Sequence, residues 1–367
     1  MDMEGRASER ITLGDMTRER ANNFDLLRLA AALIVLFNHS FVLSGKSSAT
    51  WKQFFFGYDP SAIAVCAFFV ISGFLIAGSL ERRSLLEYGK ARALRIIPAL
   101  AAITFVTALV IGPIFTTLPL SEYFSSPYTH NYFANAIPYK TAFILPGVFQ
   151  NLPAAGAVNG SLWTIPIEAF CYVFLAAIFF VGSRSFKLVV PTLLLLVIYY
   201  AYDYFIAPIK SVALFGTTET SQVVRFGFSF LMGSMLWVFK DKIPFKGGIA
   251  AACIVVMLMG TNLGYAHYAV LFALPYLLLY LAYRKPIFVS GMKKIGDLSY
   301  GTYLFAFPIQ QILVYVSGKS INGWWLAISA SIIAMSLAWL SWRYIEKPAL
   351  SLKRKPSLDS RVATAPL

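Results

Sequence analysis

The chain has 367 residues, 58% hydrophobic and 13% charged, with a formal net charge of +14 and a mean hydropathy of +0.67. A soluble globular domain is nearer roughly 45–50% apolar and about 25% charged, so the composition excludes an ordinary soluble domain and predicts an all-α, polytopic integral membrane protein. The three cysteines, Cys66, Cys171 and Cys253, all lie in apolar runs, which fits packing residues better than a disulfide framework or a zinc site.

The apolar runs predict about ten transmembrane helices, at 23–43, 60–80, 96–112, 163–182, 188–206, 222–239, 247–264, 266–282, 300–317 and 322–342. Residues 1–22 are polar and mixed in charge, and no small-residue cleavage site follows the first run, so that run is expected to stay as the first helix. Residues 23–350 then form one membrane domain, and 351–367 a tail, loose beyond Pro356. An even number of spans puts both termini on one side. The segments on that side hold 24 of the 31 Lys and Arg residues, and the opposite loops hold five. The positive-inside rule places both termini in the cytoplasm, which accounts for the basic balance without a nucleic-acid partner. Residues 113–162 carry six prolines and read as a long outer loop, with a short interfacial or re-entrant helix at "TAFILPGVF" (141–149).

Ionisable side chains inside spans are costly and seldom idle. "FDLLRLAAALIVLFNH" contains Asp25, Arg28 and His39. Arg28 and His39 are 11 residues apart, about 20° beyond three full turns, so they share one helix face with a rise of roughly 16 Å between them. Arg28 falls near the cytoplasmic end and His39 near the outer end. Asp25, three residues before Arg28, is within pairing reach. Glu168 enters the fourth span near its outer end, at a depth similar to His39, where a carboxylate can orient an imidazole that acts as a general base. The bland readings are a snorkelling Arg28, a packed His39 and a structural Glu168.

On the inner side, "LERRSLLEYGKARALRIIPAL" supplies Arg82, Arg83, Lys90, Arg92 and Arg95. Topology alone explains a basic loop, but Arg92 and Arg95 lie one helical turn apart, which suits bidentate binding of phosphate. Ser72 with Gly73 offers a small, close-approach site midway down the second span, or simple helix packing. Arg225, one turn inside the outer end of the sixth span, suits an anionic acceptor or a developing negative charge. His130 and His267 read as surface or interfacial residues. Phosphate-binding capacity inside and a His–Glu pair outside would suit a donor whose anionic head stays in the cytoplasm while its reactive end reaches outward.

On these motifs the chain resembles the acyltransferase 3 family of integral membrane acyltransferases, which includes bacterial polysaccharide and lipopolysaccharide O-acetylases. "FDLLRLAAALIVLFNH" resembles its signature of a basic residue, ten residues, then histidine. "FFVISGFLI" is similar to its second-helix motif, "YGKARALRIIPAL" to its paired-arginine segment, and "GSLWTIPIEAFCY", with Trp163 and Glu168, to its serine–tryptophan–glutamate segment. "IGDLSYGTYLFAFPIQQ" and "WRYIEKPAL" resemble its last two helices. One departure is Ala306, where many relatives have histidine. The resemblance implies transfer of an acyl group, usually acetyl, from cytoplasmic acyl-CoA (acetyl-CoA) to a hydroxyl of a glycan or its lipid-linked precursor, in a bacterial cytoplasmic (inner) membrane. It also implies no permanently bound cofactor and no metal. His39 would be the base, Glu168 would orient it, and Arg28, Arg92 and Arg95 would hold the donor; Asp25, Ser72, Trp163 and Arg225 are supporting candidates. The rival expectation is a transporter that uses the same charges as a proton or substrate relay. A non-catalytic scaffold is a third.

Overall fold

The computed structural model describes residues 11–18, 22–45, 59–285 and 296–353. Each of the ten expected apolar stretches is helical. The helices are α1 (Phe24–Leu43), α2 (Pro60–Glu81), α3 (Leu85–Val106), α4 (Thr164–Val181), α5 (Val189–Phe205), α6 (Thr220–Val238), α7 (Gly247–Asn262), α8 (Ala266–Tyr283), α9 (Ser299–Val316) and α10 (Gly323–Ser341). Six helical segments among the described residues are long and apolar enough to cross a membrane by length and composition. The only sheet described is a two-stranded ribbon pairing Ala213–Leu214 with Thr218–Glu219.

Two ends of the bundle can be distinguished. Asn23, just before α1, donates through its backbone N–H and side-chain amide to carbonyls of Ala282 and Leu281 in the last turn of α8. Arg28 of α1, Arg95 of α3, Asp297 before α9 and Glu346 beyond α10 also meet here. We call this the basal end. Residues 116–163 and the N-termini of α2 and α4 form the distal end.

The third helix begins earlier than its apolar run does. Ser84 and Glu87 form a capping box, each side chain satisfying the other's backbone N–H. Helix α3 therefore starts at Leu85, and Arg92 and Arg95 lie on it instead of in a connecting loop. Its far end widens into a π turn at Thr107–Ile111, and α10 continues into a second one at Trp342–Glu346. Each is followed two residues later by a proline, Pro113 or Pro348. A proline ring clashes with the carbonyl four residues back, and the wider turn relieves that clash.

The tightest helix contact joins α2 and α6. A Cβ on Gly73 would meet the carbonyl of Phe230, and one on Gly233 would meet that of Val70. Ser234 Oγ donates to the Gly73 carbonyl at 3.1 Å. Small residues are thus required for these backbones to touch. The main core surrounds α2, while a second cluster at the distal end gathers Leu43, Phe149, Val158, Phe307 and Val314. Cys66 and Cys171 are buried free thiols, and Cys253 is half-buried and free.

The helix expected at 141–149 does not form. These residues run extended, held by the reciprocal hydrogen bonds of Asn135 with Ala142 (2.8 and 2.9 Å) and by the Thr116–Val148 bridge. Pro146 and the left-handed Gly147 (φ 74°) interrupt any helical run there. Short helices occupy Leu120–Ser125 and Pro127–Tyr132 instead. At the basal end, residues 11–18 dock against the turn after α6, with Leu13 N–H donating to Ile243 and Gly14 N–H to Lys240. The first ten residues and the tail expected to be loose beyond Pro356 lie outside the described residues.

Candidate active site

A cavity of about 340 Å³ runs between α1, α2, α3, α4 and α9. Along α2 its wall extends from Val65 to Ile76, 11 residues and roughly 16 Å of helix rise. Its basal mouth carries Arg28, Arg92, Arg95 and Lys353; its distal part carries Thr164, Glu168 and Tyr303. Ser72 lines it midway, while its neighbour Gly73 is used for packing against α6.

The basal mouth is a charged knot. Arg95 Nη2 lies 2.5 Å from Asp297 Oδ2, and Nη1 lies 3.5 Å from Glu346 Oε2. Arg28 Nη1 is 3.8 Å from the same Asp297 oxygen. The other Asp297 oxygen accepts from Ser299 N–H and Oγ (3.1 and 2.6 Å), which fixes the carboxylate at the start of α9. Ser341 Oγ donates to Glu346 Oε1 at 3.1 Å. The Arg95 guanidinium also lies over the Tyr300 ring at 5.4 Å.

Arg92 is held differently. Its guanidinium sits over the Tyr172 ring at 5.9 Å, and its Nε is buried without a hydrogen-bond partner among the described residues. Tyr172 OH donates a short hydrogen bond to Glu168 Oε1, and the Tyr172 carbonyl accepts from Tyr88 OH at 2.9 Å. An aromatic residue therefore bridges the cation at the mouth and the carboxylate deeper in the cavity.

The face shared by Arg28 and His39 is seen in their contacts. Arg28 reaches the residue two before α9, and His39 packs edge to face on Phe307 of α9, with centroids 5.5 Å apart. Asp25 is exposed and, among the described residues, forms no ion pair; Arg28 takes Asp297 instead of the expected Asp25. A partner fixed across the bundle replaces the helical neighbour three residues away.

His39 and Glu168 do not touch among the described residues. Glu168 is hydrogen-bonded by Tyr172 one turn along its own helix. The expected similar depth does not hold: Thr164 meets Tyr303, Glu168 lies one turn basal of Thr164, and Phe307, on which His39 packs, lies one turn distal of Tyr303. The His39 ring lies just past the cavity's distal end. Tyr303 lines that end and accepts or donates to Thr164 Oγ1 at 2.9 Å; Phe307 is the next turn of α9, about 6 Å further out, and its ring packs edge to face against His39. Gly160 permits this, since a Cβ there would lie 2.6 Å from Phe307. His39 Nδ1 is buried with no hydrogen-bond partner among the described residues.

Other candidates lie off the cavity wall. Trp163 packs at a tilt on Phe226, with centroids 5.6 Å apart, and its carbonyl accepts from Thr218 Oγ1 at 3.2 Å. Arg225 does not line the cavity; its carbonyl accepts from Ser229 Oγ. Ala306 is buried against Leu36, Ala327, Ala330 and Ala334, at a position of tight helix packing. The sequence reading missed Asp297, Glu346, Tyr172 and Lys353. Only Tyr172 carried a local signal, its i+4 spacing from Glu168.

The fold and cavity define a helical integral membrane protein with a cation-mouthed internal site. The sequence model of the family described as an acyltransferase domain matches residues 22–343, and the chain belongs to that family, acyltransferase 3. It is 27% identical over 365 residues to a protein of Shigella phage Sf6 named "O-acetyl transferase", covering 93% of this chain and 99% of that one. It is 29% identical over 357 residues to "Nodulation protein 10" of Rhizobium leguminosarum bv. viciae, covering 90% and 94%. No solved structure matches. The protein is therefore a membrane acyltransferase.

Proposed function

We propose that the protein moves an acyl group, acetyl in the first instance, from cytoplasmic acyl-CoA to a hydroxyl of a cell-surface glycan or its lipid-linked precursor. The basal end would then face the cytoplasm of a bacterial cell, across its cytoplasmic membrane, with ten spans and both termini inside. The observation that carries this reading is the cavity itself. It has a cationic mouth at one end, Glu168 and Thr164 deeper in, and His39 one helical turn beyond. The phosphates of acyl-CoA suit the mouth, and its extended pantetheine arm suits a path of roughly 16 Å.

In the transfer step, His39 accepts the proton of the acceptor hydroxyl as that oxygen attacks the thioester carbonyl. The C–S bond breaks, an ester forms, and the CoA sulfur leaves as thiolate and takes up the proton that His39 accepted, which returns the imidazole to its neutral form. A hydroxyl arriving at Nδ1 would supply the partner that this buried nitrogen lacks. Glu168 acts through Tyr172 on the position of Arg92, not directly on His39. The name of the phage relative supports O-acetylation, and the polarity of the cavity supports a donor and an acceptor entering from opposite ends.

The test is thiol release from acetyl-CoA by the purified protein, with and without a lipid-linked glycan acceptor, with acetylated product followed by mass spectrometry. Acceptor-dependent thiol release is expected. Its absence, together with substrate flux in sealed vesicles, would favour the transporter.

A further inference from the structure

A second cavity, of about 370 Å³, opens beside the basal mouth and shares one wall residue with it, Lys353. We infer that this cavity receives the 3′-phosphoadenosine end of the donor, with Arg83 and Lys90 reading the 3′-phosphate and Lys353 standing between that phosphate and the diphosphate. The inference rests on the acyl-CoA reading above and specifies where the part of the donor outside the membrane path would lie.

The charge distribution supports it. In the main cavity, Arg28 and Arg95 already face Asp297, and Arg95 also faces Glu346. That leaves Arg92 and Lys353 as the cations able to meet a diphosphate there. A donor with a separate monoester phosphate needs a second cationic cluster nearby. Arg83 and Lys90 line the second cavity together with Lys353. Among the described residues none of the three is in an ion pair. The one carboxylate in that wall, Glu87, accepts from Ser84 N–H in the capping box. The excess of positive charge is therefore not neutralised within the described structure.

Shape and chemistry agree with the charge. The volume falls within the range of roughly 300–1,000 Å³ typical of small-molecule sites. Leu86, 83% exposed, stands in the same wall and offers an apolar surface to a base. Lys353 is half-buried among Arg83, Arg92 and Arg95, and burial with these like charges pushes its ammonium down to about 8. A cation in such company gains more from an arriving anion than one in open water.

The test compares acetyl-CoA with acetyl-dephospho-CoA, which lacks only the 3′-phosphate, in binding to the full-length protein in nanodiscs. Wild type should prefer acetyl-CoA by about tenfold or more, as expected for charge-assisted phosphate contacts. The Arg83→Ala/Lys90→Ala variant should cut that preference to about threefold or less, with affinity for acetyl-dephospho-CoA unchanged. Lys90 is exposed, Arg83 is half-buried, and neither is in an ion pair among the described residues, so the melting temperature should be retained. Adenosine 3′,5′-bisphosphate should compete with acetyl-CoA for wild type and only weakly for the variant. Equal binding of the two donors by wild type would overturn the inference while leaving the acyl-CoA reading intact. So would a preference unchanged by the double variant. If the variant instead lost retention of phosphatidylglycerol but not of the nucleotide, the cavity would be a lipid-headgroup site and the inference would fall. No binding of either donor would overturn the acyl-CoA reading itself, and this inference with it.

Discussion

Arg95 and Asp297, 202 residues apart in sequence, meet at 2.5 Å and tie the basal part of α3 to the start of α9. The same Asp297 oxygen faces Arg28 on α1. One carboxylate thus sets the spacing of two of the three arginines around the cavity mouth, while Glu346 takes the other side of the Arg95 fork.

Removing this carboxylate should be costly for the fold. Asp297→Ala leaves two partly buried guanidinium groups facing each other and removes the hydrogen bonds to Ser299. Breaking one partner of a buried pair costs about 3–5 kcal/mol, and the residual exposure here argues for the lower end. The melting temperature should fall clearly, and more than in Glu346→Gln, because Arg95 retains its closer contact in the latter. A Glu346→Gln loss equal to or larger than that of Asp297→Ala would contradict the ranking.

The two inner arginines should separate by role. Arg92 stacks over Tyr172 and has a buried Nε without a partner among the described residues, whereas Arg95 is held by two carboxylates. Arg92→Ala should weaken acetyl-CoA binding with little change in melting temperature, and most at low salt. Arg95→Ala should lower the melting temperature. Lysine at 92 should rescue only partly, since it lacks the guanidinium plane. Calorimetry with unchanged donor affinity in Arg92→Ala would remove it from the donor site.

His39→Ala should reduce acyl transfer by about 10²–10⁴-fold, the usual cost of losing a general base, while leaving donor binding intact. Gly160→Ala should act at the same place from the opposite side. Its new Cβ would lie 2.6 Å from Phe307, whose ring packs against His39. Transfer should fall without a loss of donor affinity. Rate and binding measured on both variants check this, and full activity in His39→Ala would return the imidazole to a packing role.

Much of this arrangement was legible in the sequence, and the limits have physical causes. Apolar runs fixed the helix positions because a spanning helix needs length and apolarity more than any special residue. The shared face of Arg28 and His39 followed from helical periodicity alone, and both do contact the α9 segment. The Ser84–Glu87 box was present in the letters "SLLE" and moved the start of α3 to Leu85. Partners across the bundle were not legible. Asp297 and Glu346 are local unknowns until the helices are rotated into place, and the offset between α1 and α4 along the bundle leaves Glu168 to Tyr172, about two turns from His39. The distal segment misled for another reason. "TAFILPGVF" is apolar enough for a helix, but Pro146 and Gly147 set an extended course that Asn135 then secures.

Donor binding should depend on pH through Lys353. Lys353 lies after the final helix, where burial and the nearby Arg92, Arg95 and Arg83 push its ammonium down to about 8, well below an ordinary lysine. The lowered value means that Lys353 is charged below about pH 8 and neutral above it. A phosphate monoester is already doubly ionised above about pH 7, so the donor changes little across that interval. Donor affinity should therefore decline as pH rises from 7 to 9, as the cation at the junction of the two cavities loses its proton. Arrival of the donor's negative charge should raise the Lys353 value again, so binding near pH 8 should take up a proton. Calorimetry in buffers of different ionisation enthalpy reads that uptake directly. Lys353→Ala should bind more weakly at pH 7 and flatten the pH dependence, because the titrating group is gone. Lys353→Arg should keep its charge to high pH and hold affinity level through pH 9. If wild type and Lys353→Ala declined in parallel, with the same proton uptake, the pH dependence would belong to another group and Lys353 would have no part in holding the donor.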